Sequence, residues 1–212
     1  MRIALIPVKE LSQAKARLAP VLDGDRRREL ALALYRDVLA AALACPALDG
    51  VAVVSRDRDA LTLAVEAGAE GLPEPGGLNE ALTSASQTMA ERGVDRLVVL
   101  AADLPLATPD DIATIALADA DVALVPSEDG GTNALALSPG AIAFRFGPDS
   151  ARRHLAAADA ADLRSLRLEL PTLALDIDTP DDLARLRETD RAIGRNTLDV
   201  YEQLHIIEGT VG

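Results

Sequence analysis

The stretch LVVLAADLPL, residues 97–106, decides the fold class of this chain. Its opening segment LVVLAA is apolar without the alternation of a strand that faces water on one side, and this pattern is typical of a strand buried on both faces. Such strands lie inside parallel sheets that helices cover. The stretch therefore predicts a central strand of an α/β sheet, followed at once by an acidic residue, Asp103.

Strand-like and helix-like segments alternate on both sides of this strand. Apolar runs predict strands at 3–7, 51–55, 97–102 and 122–126. Helical patterns predict helices at 26–44, 59–67, 78–92 and 109–117. This order predicts a βαβα winding on a mostly parallel sheet with flanking helices, which is a Rossmann-like α/β fold.

The alternation breaks after Pro126. A loop, SEDGGTN, is followed by a strand-like ALALS, a helix at 150–158, the segment RLELPTLALDID and a last helix from Pro180. We expect this half to insert antiparallel strands over the carboxyl ends of the sheet, where such folds bind ligands. With 212 residues, 49% of them hydrophobic, we expect a single domain over 1–212.

The tetrapeptide TPDD occurs twice, at 108–111 and 179–182. Thr108 and Thr179 are predicted helix N-caps, each followed by a proline at the first helical position and by aspartates that suit the helix dipole. We assign these aspartates a structural role.

Composition excludes several classes of protein. A net charge of −13 and a pI near 4.5 argue against binding to nucleic acid or to anionic membranes. Binding of small anionic substrates is not excluded, because salt screens the charges of carboxylates more than about 8 Å away. Cys45 is the single cysteine and is predicted to be a buried thiol rather than a nucleophile. Since we find neither a signal peptide nor a transmembrane run, we expect a cytoplasmic protein.

Lysine occurs at two positions only, Lys9 and Lys15, both after the first strand and close to Arg17. An ammonium group suits phosphate oxygens as a point charge, so a nucleoside triphosphate is the first ligand to consider. Neither glycine-rich phosphate-binding motif is present, and side chains would have to hold the phosphates. The alternative is a solvated helix start with these cations in water.

Three acids follow strand-like segments. Asp103 comes after LVVLAA, and Asp176 and Asp178 share one face of a late extended segment. Carboxylates at strand ends suit Mg²⁺, which shares its other positions with water and substrate phosphates. Solvated or capping acids are the alternative, above all for Asp178.

Two glycine-containing segments in the second half are candidates for an anion site. In DGGTNAL, 129–135, the glycines permit positive φ angles beside Thr132, although a plain hairpin turn explains them equally well. In FGPDS, 146–150, Gly147 precedes a helix that begins near Ser150 and whose start suits a phosphate. His154, inside that helix, is interpreted as a surface or satisfied histidine rather than an acid–base group.

These motifs together resemble one family. IPVK at 6–9, AKARL at 14–18, GLNEAL at 77–82, ADLPL at 102–106, DGGTNAL, FGPDS and LDIDTPDDL at 175–183 resemble the guanylyltransferases of coenzyme F-420 biosynthesis, in the same order along nearly the whole chain. The resemblance implies a nucleotide-diphosphosugar-transferase-like fold, and GMP transfer from GTP to a three-carbon phosphoacid with release of pyrophosphate and Mg²⁺ as cofactor.

The resemblance also implies roles for individual residues. The catalytic cations that hold the triphosphate would be Lys9, Lys15 and Arg17. The metal ligands would be Asp103, Asp176 and Asp178. The phosphoacid would be bound by Thr132, Gly147 and Ser150, and the nucleotide would lie near Leu78 and Asn79. On this basis 1–126 is the nucleotide-binding half, 127–190 the acceptor and metal-binding part, and 191–212 a C-terminal tail.

Several alternatives stay open. The arginine- and alanine-rich composition looks bacterial, and the resemblance to bacterial members of the family then implies phosphoenolpyruvate as the acceptor. The other two candidate acceptors are 2-phospho-L-lactate and 3-phospho-D-glycerate. Another nucleotidyltransferase, acting on a sugar phosphate or the molybdenum cofactor, and a non-catalytic nucleotide-binding protein are further possibilities. The apolar segment LDVYEQLHII, 198–207, is expected to pack on its own sheet or on a second subunit as a homodimer.

Overall fold

The computed structural model describes residues 1–74 and 76–208, the last five of these by their backbone alone. Seven strands in the described part form one sheet. They are β1 (Arg2–Val8), β2 (Gly50–Ser55), β3 (Glu70–Pro73), β4 (Arg96–Leu100), β5 (Val122–Pro126), β6 (Thr132–Leu137) and β7 (Ser165–Arg167). Their order across the sheet is β3-β2-β1-β4-β6-β5-β7. The predicted mixed, mostly parallel sheet is confirmed.

Helices connect the strands and cover both faces of the sheet. They are α1 (Gly24–Leu43), α2 (Arg58–Glu66), α3 (Leu78–Glu91), α4 (Pro109–Ala116), α5 (Ser150–Ala160), α6 (Pro171–Ala174), α7 (Pro180–Glu188) and α8 (Arg195–Glu208). Two short 3-10 turns, Leu11–Gln13 and Ala16–Leu18, follow β1. The helices predicted in the first half are confirmed, with ends that differ by two residues at most. No helix in the described part of the chain is long and apolar enough to cross a membrane.

The place of the antiparallel strand differs from our expectation. β6 does not lie over the carboxyl ends of the sheet but between β4 and β5, antiparallel to both. A tight turn at 127–131, with Gly130 at φ +87°, joins β5 to β6, and a turn this short can only return an antiparallel strand. β6 is an interior strand of a sheet whose two faces are both covered, and all six of its residues are buried.

Two edge strands were not predicted from the sequence. β3 and β7 have four and three residues, and β7 is entirely exposed. Edge strands this short carry no apolar run or alternation that a pattern can detect. β7 also corrects the expectation of antiparallel strands after Pro126, because it pairs with β5 in parallel.

The core lies on both faces of the sheet. One cluster packs α1, α2 and α4 on one face, and the other packs α3 and α5 on the opposite face. Cys45 is 3% exposed within the first cluster, which confirms the predicted buried thiol. Thr108 and Thr179 are confirmed as N-caps, since they accept hydrogen bonds from the amides of Asp111 and Asp182.

Helix α8 packs on its own chain. Asp37 of α1 accepts hydrogen bonds from the backbone N–H groups of Asn196 and Thr197 at 3.0 and 2.7 Å. Val200 and Tyr201 are buried in a third apolar cluster with residues of α1 and α7. This cluster contains no strand residue, so the described part of the segment 198–207 packs on helices of its own chain and not on the sheet as expected. The side chains of 204–207 and residues 209–212 of the tail lie outside the described part.

Candidate active site

A cavity of about 360 Å³ opens where β1 and β4 end and β6 begins. Because β6 is antiparallel to β4, its first residues lie beside the carboxyl end of β4, and the Ala101 N–H donates to the Asn133 carbonyl at 2.8 Å. The predicted site residues that line this cavity are Lys9, Lys15, Arg17, Leu78, Asp103, Thr132 and Asp178. Side chains from distant parts of the sequence therefore meet at one end of the sheet.

Lys15 lies between two carboxylates. Its Nζ atom is 2.5 Å from Asp103 Oδ2 and 3.0 Å from Asp178 Oδ1, and its side chain is only 7% exposed. Burial alone would lower the pKa of Lys15, but the charges and hydrogen bonds of the two aspartates outweigh it and raise the pKa above its usual value. Lys15 is therefore a buried ammonium ion rather than a solvated surface cation.

The backbone helps to direct Lys15 inward. Lys15 has φ 56° and ψ 38°, in the left-handed region that few residues other than glycine adopt. Leu11 and Leu18, 2% and 0% exposed, anchor the loop on either side of it. Buried anchors of this kind can hold a strained backbone, and such strain is common at functional sites.

Asp176 lies next to the other acids but is held by a different partner. Asn133 Nδ2 donates to Asp176 Oδ1 at 3.1 Å and to the Ala174 carbonyl at the same distance. Burial raises the pKa of Asp176 to about 6, and the negative charges of Asp103 and Asp178 add to the effect. Asn133 is a residue of the site whose role the sequence analysis missed; its place in DGGTNAL was the available signal.

The acids suit a cation only in a limited way. In the described part of the chain, no group of three Asp, Glu, His or Cys side chains is arranged to hold a metal ion. Mg²⁺, however, commonly binds through one or two carboxylates and completes its shell with water and substrate phosphates. Burial is the main cause of the raised pKa of Asp176, and the charges of the neighbouring acids add to it. The donor set therefore fits a magnesium ion that arrives with a polyphosphate.

Lys9 and Arg17 line the same cavity with exposed side chains. Arg17 is close enough to Asp129, in the turn between β5 and β6, to contribute to a lowered pKa of that carboxyl; the hydrogen bond from Ser127 is the larger cause. The cations of the loop after β1 thus have two environments, one buried between acids and two facing solvent.

Leu78 and Asn79 begin helix α3, and only Leu78 lines the cavity. The Asn79 amide is paired with the backbone of Phe146: its Nδ2 donates to the Phe146 carbonyl at 3.2 Å, and its Oδ1 accepts from the Phe146 N–H at 2.8 Å. Asn79 therefore joins the start of α3 to the segment 146–150.

The predicted acceptor residues meet through hydrogen bonds. Ser150 Oγ donates to Thr132 Oγ1 at 2.9 Å, and the Ala151 N–H donates to the Gly130 carbonyl at 3.2 Å. Gly147 has φ +123°, a backbone conformation that requires glycine. Of Thr132, Gly147 and Ser150, Thr132 alone lines the cavity; Ser150 is buried against Thr132, and Gly147 is exposed.

A larger, more open depression of about 640 Å³ lies beside α6 and α7. Charged side chains of both signs line it, including Glu128 and Arg185, which form an ion pair. It contains none of the predicted site residues. We therefore assign the chemistry to the smaller cavity, where the buried ammonium group and the carboxylates meet.

Solved structures share this fold. A protein from Desulfovibrio desulfuricans G20 described as a nucleotide-diphospho-sugar transferase superposes with a TM-score of 0.79 and 21% identity, covering 98% of this chain and 95% of its own. A nucleotidyl transferase from Methanothermobacter superposes with a TM-score of 0.65 and 17% identity, covering 89% and 96%. The fold is thus of the nucleotide-diphospho-sugar transferase type.

Sequence comparison is more specific. Phosphoenolpyruvate guanylyltransferase of Sphaerobacter thermophilus is 44% identical over 189 residues, which are 87% of this chain and 91% of the relative. The protein of the same name from Chloroflexus aggregans is 43% identical over 194 residues, 86% and 94% of the two chains. The model of the family described as CofC-like guanylyl transferases matches residues 1–190. The chain therefore belongs to the CofC-like guanylyl transferase family.

Proposed function

We propose that this chain transfers GMP from GTP to phosphoenolpyruvate and releases pyrophosphate, the reaction named for its relatives and the one that its family places in coenzyme F-420 biosynthesis. The observation that carries the proposal is the cavity in which Lys15, Asp103 and Thr132 meet. A buried ammonium group, acids for a cation and a hydroxyl are the groups that two phosphate-bearing substrates need.

The chemistry is an in-line displacement. A phosphate oxygen of the acceptor attacks the α-phosphorus of GTP, a new P–O–P bond forms, and the bond from the α-phosphorus to the leaving pyrophosphate breaks. Because a phosphate monoester is already ionised at neutral pH, no general base is required. Positioning and charge neutralisation carry the rate enhancement in such reactions.

The three cations of the loop after β1 would bind different phosphates of the nucleotide. Lys9 and Arg17, which are exposed at the cavity, suit the outer phosphates of the incoming triphosphate. Lys15 is held near the acids until a polyphosphate offers it further oxygens. Thr132, Gly147 and Ser150 would bind the acceptor, and Leu78 and Asn79 would border the nucleotide.

Asp103, Asp176 and Asp178 would hold Mg²⁺. The ion supplies charge neutralisation on the phosphates of the bound nucleotide. Asp176, which burial and its acidic neighbours already push toward protonation, would be stabilised as a carboxylate by a nearby cation.

The test measures pyrophosphate release from GTP and Mg²⁺ with phosphoenolpyruvate, 2-phospho-L-lactate or 3-phospho-D-glycerate added separately. ATP and CTP are the nucleotide controls, and mass spectrometry identifies the product. We expect release with GTP and phosphoenolpyruvate, and a product with the mass of the guanylylated acid. Release with another acceptor alone would correct the substrate, and binding of GTP without release for any acceptor would favour a non-catalytic nucleotide-binding protein.

A further inference from the structure

Helix α5 contains a completely buried histidine, His154, to which the proposed function gives no role. Its ring has a polar contact at each nitrogen: Nδ1 lies 3.1 Å from Thr132 Oγ1, and Nε2 lies 3.0 Å from the backbone nitrogen of Arg145. The ring of Phe146, which lines the cavity, packs edge-on against the imidazole at 5.0 Å between centroids. His154 therefore joins the outer segment 145–146 to Thr132.

The contact with Arg145 determines which ring nitrogen carries the hydrogen. A backbone N–H can only donate, so Nε2 must accept and bear no hydrogen. A neutral imidazole then carries its hydrogen on Nδ1 and donates it to Thr132 Oγ1. Burial, together with the positive charges of Arg153 and Arg145, lowers the pKa of His154 to about 4, so the ring is neutral at physiological pH.

The same reasoning continues to Thr132. A hydroxyl oxygen has two lone pairs and one hydrogen. One lone pair of Thr132 Oγ1 accepts from His154, and the other accepts from Ser150 Oγ at 2.9 Å. The hydroxyl hydrogen is then left to point in the remaining direction, and Thr132 lines the cavity.

We propose that His154 is a positioning residue of the acceptor site, which holds Thr132 so that the threonine hydroxyl donates its hydrogen to the phosphate of the bound phosphoacid. The inference rests on the proposed function, since it takes Thr132 to contact the acceptor. Ser150 and His154 are four residues apart on one helix face, and together they define the orientation of one hydroxyl.

Two substitutions test the contacts of the two ring nitrogens separately. In His154→Gln the amide oxygen can replace Nε2 and accept from the Arg145 N–H, but the donor to Thr132 is lost. In His154→Asn the amide nitrogen can replace Nδ1 and still donate to Thr132. Arg152→Gln, on the exposed face of the same helix, is the matched control.

The first readout is a comparison of KM values. We expect His154→Gln to raise the KM for phosphoenolpyruvate about tenfold, as for a weakened hydrogen bond to a charged group, with the KM for GTP nearly unchanged. His154→Asn should restore the KM for phosphoenolpyruvate toward that of the native protein. An unchanged KM for phosphoenolpyruvate in His154→Gln, or equal rises for both substrates, would overturn the inference.

The second readout needs no turnover. In ¹⁵N-histidine-labelled protein, the signals of His154 are identified by their loss in His154→Gln, and we expect the pattern of a neutral ring with hydrogen on Nδ1. Hydrogen on Nε2 would overturn the inference whatever the activity. If the native protein turns over none of the three phosphoacids, both the proposed function and the inference are wrong. If the native protein is active and His154→Gln has the same KM for phosphoenolpyruvate, only the inference is wrong.

Discussion

The ammonium group of Lys15 lies 2.5 Å from the carboxylate of Asp103, although the two residues are 88 positions apart in the chain. Asp178, 163 positions from Lys15, contacts the same ammonium at 3.0 Å. One buried cation thus neutralises acids from two other parts of the chain. The charges of this cluster can be changed one at a time.

Asp103→Asn should lower pyrophosphate release at least about 100-fold, because it removes one of the carboxylates proposed to hold Mg²⁺. The melting temperature should move by only a few degrees, since the Asp103 side chain is 25% exposed and Lys15 keeps Asp178 as a partner. The paired measurements are steady-state turnover and thermal unfolding. Asp110→Asn, in the first turn of α4, is the control and should keep full activity. Normal turnover by Asp103→Asn would refute the assigned role.

Lys15→Met should lower kcat/KM about 100-fold, as expected when one charged group aimed at the reacting phosphates is lost. Stability should fall as well, because Asp103 and Asp178 lose a shared counter-charge. Lys15→Arg keeps the charge and should recover stability more than activity, since a planar guanidinium does not fit the place of a compact ammonium. Turnover assays and urea unfolding of the three proteins test this, and equal activity of Lys15→Met and the native protein would contradict it.

Thr179→Ala should lower the free energy of unfolding by about 1 kcal/mol, the usual cost of a lost N-cap. Thr179 accepts from the Asp182 N–H, and the Asp182 carboxylate accepts from the Thr179 N–H at 2.7 Å, so the cap is reciprocal. Thr108→Ala removes the corresponding cap of α4 and should cost a similar amount. Urea unfolding measures both, and an unchanged midpoint with an unchanged slope would show that the caps contribute no stability.

The free energy of unfolding should depend on pH because the pKa of His154 differs between the folded and the unfolded protein. Its pKa is near 6.5 in the unfolded chain and about 4 in the folded protein, so between these values only the unfolded chain takes up the proton. The stabilising contribution is therefore complete above pH 6.5 and is lost as the pH falls toward 4, by about 3 kcal/mol. The difference between native protein and His154→Gln isolates this effect from the carboxylates. Parallel unfolding curves for the two proteins across that range would contradict it.

Local patterns were sufficient for most of the fold. The apolar run in β4, the two TPDD caps and the alternation of strands and helices each depend on residues close in sequence, and the structure bears them out. β6 was recognised as a strand but was misplaced, because its neighbours are chosen by pairing with β4 and β5 and not by its own residues. β3 and β7 were missed because short edge strands bury too little to leave a pattern.

The candidate site was also predicted in part from the sequence. The motifs indicated Lys15, Asp103 and Thr132 as residues of one site, and all three line one cavity. Their roles toward substrate stay predictions. The pairing of Asn79 with Phe146 was not visible in the sequence, because its partner is a backbone 67 positions away.

The order of residues alone was enough for the α/β class, the central strand, the helix caps and the family, since each follows from neighbouring side chains or from motifs in a given order. Folding was needed to bring Lys15 between Asp103 and Asp178 and to place His154 behind Thr132. The physical reason is that strand order brings together the ends of strands that are distant in sequence. Burial then makes the hydrogen bonds and charges of each group depend on partners that no local pattern specifies.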